Sequence, residues 1–183
     1  MALPYTQLPN ILDGLRACLQ AELERAALHG GPPVPGKIEL RPGAAFAPYF
    51  STTEDECKCG VAWVRLAGLA LADTPGQDGP QRNAAGNLCG VVQWTATVEI
   101  GVQRCPTFGD AHKLPTAAEA RADTQRQLAD MRTMLSAMRC CFGRIQDVTP
   151  GEYTPIGPEG LCLGGSWTAT LTLDDCDDCP PED

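Results

Sequence analysis

The chain is 183 residues long, 43% hydrophobic and 20% charged, which places it among globular domains and apart from disordered chains. Its net charge of −9 argues against tight contact with nucleic-acid backbones, because that affinity comes from Lys and Arg displacing counterions. Its apolar stretches are far shorter than the roughly 20 residues of a membrane-spanning helix, so no membrane association is expected.

Taken in chain order, the first element is an amphipathic helix. Leu8, Ile11, Leu12, Leu15, Cys18, Leu19 and Leu23 recur at spacings of three and four. Pro9 suits a first helical turn, where a missing N–H costs nothing. The opening "MALPYTQLPNILDGLRACL" lacks the basic segment and apolar block of a secretory leader, so folding in the cytoplasm is expected. The breaker cluster "HGGPPVPG" ends the helix, and "KIELR" (37–41) follows as a short strand. "VAWVRLAGLAL" (61–71) is apolar at nearly every position, which predicts a strand covered on both faces, with Arg65 reaching an edge or solvent.

A connection over 72–90 is rich in Gly, Pro, Asn and Asp and has no apolar periodicity. So long a connection without structure of its own is usually functional. "VVQWTATVEIGVQR" (91–104) carries the clearest pattern in the chain. Val92, Trp94, Ala96, Val98, Ile100 and Val102 alternate with polar or small residues, predicting a long strand with one buried and one wet face.

Pro115, Thr116 and Glu119 form a capping-box start to a second helix. Its expected inner stripe is Leu128, Met131, Leu135, Met138 and Phe142, with Gly143 as the residue after its end. Its polar face carries Arg121, Arg126, Arg132 and Arg139 with Asp123 and Asp130, a face expected to be solvated. A Pro- and Gly-rich connection (149–165) leads to a last strand, "SWTATLTL", with Trp167, Ala169, Leu171 and Leu173 on one side.

The order α-β-β-β-α-β predicts an α+β two-layer sandwich: a mainly antiparallel four-stranded sheet with two helices on one face. One domain is expected over 1–175, followed by an acidic, Cys-containing tail over 176–183, where Pro180 and Pro181 forbid continued pairing.

Chemistry is sparse. The two histidines, His29 and His112, are far apart and belong to no zinc dyad. Ser166 in "GGSWT" lacks the second glycine of a nucleophile elbow. There is no phosphate-binding glycine loop, so neither an enzymatic activity nor a cofactor is expected. Ten cysteines remain, many for a reducing cytoplasm and fewer than a disulfide scaffold carries.

Cys57, Cys59, Cys176 and Cys179 offer four thiolates to a tetrahedral zinc, but only if the last strand runs antiparallel to the second. The preferred alternative is a disulfide or thiol cluster of Cys57, Cys59, Cys105 and Cys162 at the strand ends. A redox Cys-x-x-Cys centre is not expected, because Cys176 and Cys179 follow a strand and run into Pro-Pro rather than opening a helix.

The element order, the long central strand, the long hairpin connection and the strings "WTATVEIGVQRCP", "LSAMRCCFGR" and "CLGGSWTATLTL" together resemble tail-terminator and neck proteins of long-tailed bacteriophages that infect high-GC actinobacteria. The resemblance covers roughly residues 5–175 and leaves the acidic end unmatched. It implies a structural virion protein, assembled in the host cytoplasm. Such a protein forms a ring, usually a hexamer, that caps the tail tube, ends tube polymerisation and meets a head connector or stopper protein.

It further implies that Gln77, Asp78, Gln81, Arg82 and Asn83 contact a neighbouring subunit or the tube, and that Trp94, Val98 and Ile100 build the ring wall. DNA would pass through the ring without specific binding, and six copies at −9 would carry roughly −54, a repulsive environment for it. Folding in a reducing cell and later exposure outside it would reconcile the cysteine count with the cytoplasm. The alternatives are another head–tail connector or stopper ring, and a small zinc-binding protein-interaction module.

Overall fold

The computed structural model describes residues 4–41, 60–71, 90–107, 114–142, 148–159 and 162–177. Helix α1 (Pro4–Leu28) buries Leu8, Leu15, Leu19 and Leu23, the stripe its spacing predicts. Pro9 stands inside this helix rather than in its first turn. The helix closes on Gly30, whose φ of +83° only glycine adopts without strain. The Gly31 N–H then reaches Ala26 O at 2.9 Å and the Gly30 N–H reaches Ala27 O at 3.2 Å, which satisfies carbonyls the helix leaves open.

Strand β1 (Lys37–Leu40) pairs in parallel with β2 (Val61–Leu71), and β2 pairs antiparallel with β3 (Gly90–Arg104). After helix α2 (Ala117–Phe142) come β4 (Val148–Glu159) and β5 (Cys162–Asp177). The sheet order is β1-β2-β3-β5-β4. The protein is therefore α+β with two helices, but its sheet has five strands and is mixed, not four-stranded and antiparallel. The added strand is β4, formed by the Pro- and Gly-rich segment expected to be a connection. Its prolines are compatible with pairing because it lies at a sheet edge, where a missing N–H can face away from the ladder. Strand β5 also runs on through Cys176 and Asp177, past the expected start of the acidic tail.

Both helices pack on one face of the sheet. Ala62 and Val64 of β2, Ala96, Val98, Ile100 and Val102 of β3, and Ala169, Leu171 and Leu173 of β5 meet the leucines of α1 and Met134, Ala137, Met138 and Phe142 of α2. The inner face of α2 is rotated from the expected stripe. Leu128 is 48% exposed, while Asp123 and Asp130 are buried. The start of α2 matches expectation: the Thr116 N–H donates to Glu119 Oε2 at 2.7 Å and the Glu119 N–H to Thr116 Oγ1 at 3.3 Å.

The opposite face of β3 is not wet along its whole length. Trp63 is fully buried there, and Glu99 and Gln103 are buried with it. Gly101 lies under the Trp63 ring, and an added methyl group at that position would overlap ring carbons. Gly101→Ala is therefore expected to cost about 2–3 kcal/mol through overpacking, because a ring with no exposed surface has little room to yield. The midpoint of urea unfolding tests this, and an unchanged midpoint would mean that Trp63 moves freely.

Candidate functional site

Two groups of side chains concentrate the polar chemistry of the described residues. The first lies on the sheet face away from the helices. Trp63 Nε1 donates to Glu99 Oε1 at 3.2 Å, and Arg65 donates to Glu99 Oε2 at 2.5 Å. Arg41 lies 5.7 Å from the Trp63 ring centre and pairs with Glu39 at 2.8 Å. Arg65 thus does not reach solvent. Register places it opposite Glu99, and the pair is almost wholly enclosed. Paired charges over an indole stabilise a buried face, and nothing in this group is arranged as a nucleophile with its base.

The second group joins the end of β3 to α2. Arg104 donates through Nε to Asp130 Oδ2 at 2.6 Å and through Nη2 to Asp130 Oδ1 at 2.9 Å. Its remaining amine, Nη1, donates to Pro33 O at 2.5 Å. Near the start of α2, the Thr107 N–H donates to both carboxylate oxygens of Asp123, at 3.0 and 3.2 Å. The two aspartates expected on a solvated face are thus structural anchors for the segments flanking β3 and preceding β1.

The cysteines fall into place by strand direction. Strand β5 runs antiparallel to β3 and hence parallel to β2, so Cys176 sits opposite Val91, at the end of the sheet away from Val61. That is the direction that does not carry Cys176 to the Cys105 end, which removes the condition for zinc bound by Cys57, Cys59, Cys176 and Cys179. Cys105 and Cys162 follow and begin paired strands at the same end, and both are disulfide-bonded. Cys57, Cys59 and Cys179 lie outside the described residues, and so do Gln77, Asp78, Gln81, Arg82, Asn83, His112 and Gly143. No grouping of three or more His, Cys, Asp or Glu suited to a metal occurs among the described residues.

One disulfide has no forerunner in the sequence reading. Cys18 of α1 bonds Cys141 of α2 across 123 residues of sequence. The signal was partial: Cys18 lies on the apolar stripe of its helix, and Cys141 adjoins Phe142 on the other. Cys140 is a free, exposed thiol 4.0 Å from Glu22 Oε1. Arg25, hydrogen-bonded to Glu22, holds that carboxyl below its usual range. Beside the disulfide lies a cavity of about 230 Å³ lined by Asn10, Ile11, Gly14, Leu15, Cys141 and Phe142. It is smaller than the roughly 300 Å³ at which small-molecule pockets begin, and Asn10 is the one polar side chain in its lining.

Val98 and Ile100, two of the three expected ring-wall residues, are fully buried beneath the helices, and Trp94 is half-buried against the same core. Val98 and Ile100 are thus enclosed within one chain, while Trp94 keeps part of its surface exposed. No helix among the described residues is long and apolar enough to cross a membrane. No protein-family model matches the chain, and no curated protein sequence matches it.

Proposed function

We propose that the chain is a structural protein of a phage tail, a terminator whose copies close into a ring on the head-proximal end of the tail tube. One observation carries the reading: β3 and β5 pair without interruption over 15 residues, from Gly90 opposite Asp177 to Arg104 opposite Leu163. At about 3.3 Å per residue that ladder spans roughly 50 Å, against 5–6 residues for an ordinary strand. A backbone girder of this length, braced by two helices on one face, suits a wall segment between neighbours.

The chemistry agrees in kind. The polar side chains described above pair with one another and hold elements together, as a load-carrying subunit requires. The net charge of −9 would keep a DNA channel from binding its cargo where enough of that charge faces the lumen. In this reading the partners are further copies of the chain, the tail tube and a head connector or stopper protein. The place of residence is the virion after assembly in the host cytoplasm.

Purified protein mixed with isolated tail tubes and viewed by negative-stain microscopy tests the proposal. The expected result is a ring of six chains, each of 19.4 kDa, seated on one tube end, with further tube growth arrested. Tubes that stay bare and continue to elongate in excess protein would overturn it.

A further inference from the structure

Cys18 lies between the points where two cysteines of α2 meet α1. On α1 it stands midway between Gly14 and Glu22, which share its side of the helix. Cys141 Sγ, bonded to Cys18, lies 3.2 Å from Gly14 O. Cys140 Sγ lies 4.0 Å from Glu22 Oε1. Two successive sulfurs of α2 thus touch α1 one turn before and one turn after Cys18, and the three cysteines form one cluster.

Their covalent states differ. Cys18–Cys141 is a disulfide, while Cys140 is a free and exposed thiol. A thiol held beside a disulfide is the arrangement from which thiol–disulfide exchange proceeds. We propose that the bridge between the helices is a two-position latch, in which Cys140 displaces Cys141 as the partner of Cys18.

The step balances within the chain. The Cys140 thiol loses its proton and attacks Cys18 Sγ. The Cys18–Cys141 bond breaks, and Cys141 leaves as a thiolate that takes up a proton. One disulfide and one thiol remain, so neither an oxidant nor a reductant is consumed. The helix directs the attack to Cys18 rather than to Cys141. Successive residues point about 100° apart around a helix axis, so a bond between Cys140 and Cys141 would unwind the turn that carries them.

Two features of the fold make room for the change. Cys140 and Cys141 belong to the last turn of α2, which ends at Phe142, and a last turn has no following turn to hold its carbonyls. The cavity of about 230 Å³ beside the bridge is bordered by Cys141 and Phe142 of that same turn, so both side chains adjoin space into which they can rotate. The bridged Cα atoms are 6.1 Å apart and consecutive Cα atoms about 3.8 Å, so a rotation of this turn brings Cys140 within disulfide range of Cys18. The latch therefore sets which rotation of the α2 end is locked onto α1. It operates within one chain, whether or not copies assemble into a ring.

Peptide mapping tests it. Oxidised full chain is held at about pH 8 for hours, long enough for uncatalysed reshuffling, then quenched in acid, alkylated and digested without reduction. Tandem mass spectrometry locates the label within the tryptic peptide 140–144. Label is expected on Cys140 in some molecules and on Cys141 in others, with Cys18 bonded to whichever of the two is unlabelled. Cys140→Ser is expected to lose the Cys141 label altogether. Cys141→Ser, oxidised during refolding, is expected to hold a Cys18–Cys140 bond. Label confined to Cys140 in the wild type, or Cys141 label that persists in Cys140→Ser, would overturn the proposal. So would a folded Cys141→Ser in which Cys18 and Cys140 both stay free.

Discussion

Asp130→Ala is expected to lower the stability of the folded chain by about 3–5 kcal/mol, the effect of removing one partner from a buried ion pair. Arg104 and Asp130 side chains are only 8% and 4% exposed, and the pair is bidentate. Truncating the aspartate leaves a guanidinium beneath α2 with one carbonyl, that of Pro33, to accept from it. Urea unfolding followed by tryptophan fluorescence measures the loss, and a change below about 1 kcal/mol would show that water reaches Arg104 freely. Arg104→Met combined with Asp130→Leu should recover most of the stability, because two apolar side chains of similar volume carry no desolvation penalty. Recovery in the double variant distinguishes a stranded charge from a simple packing defect.

The second large effect is covalent. Cys18–Cys141 closes a span of 123 residues, for which chain entropy alone gives about 4–5 kcal/mol. Cys105 and Cys162 are themselves in disulfides, so the unfolded chain is already cross-linked elsewhere. The expected cost of Cys18→Ser with Cys141→Ser is therefore nearer 3 kcal/mol, or a Tm lower by roughly 6–12 °C for a domain of this size. Differential scanning calorimetry of the oxidised proteins checks it. An equal Tm would mean that the packing of α1 on α2 holds that end of the molecule without the bond. Fully reduced wild-type protein should melt lower still, since every bridge is then open.

Much of the architecture follows from periodicity, and the departures have identifiable causes. Both helices, and β2, β3 and β5, are carried by apolar spacing that one helix face or one sheet face must bury. Strand β4 escapes that logic because an edge strand can hold Pro150 and Pro155 in positions where a central strand could not. The phase of α2 is misread for a different reason: Asp130 looks like a solvent-facing residue until Arg104, 26 positions away, is folded beneath it. Glu99 is misjudged in the same way, since its burial depends on Trp63 and Arg65 from the neighbouring strand. In each case a polar residue is made compatible with burial by a partner distant in sequence, which hydropathy cannot register.

The candidate site was less legible than the fold. Cys105 and Cys162 are placed at one end of the sheet as strand direction requires, and the loop around Gln77–Asn83 lies outside the described residues. Cys18 and Cys141 could be matched only once the two helices were laid side by side.

The prolines of β4 set a limit on how far the protein can aggregate. Strand β4 is one edge of the sheet, and Pro150 and Pro155 leave it without two of the N–H groups that a further strand would need there. At that edge pairing with a foreign strand is disfavoured, where an unguarded one would invite a fibre.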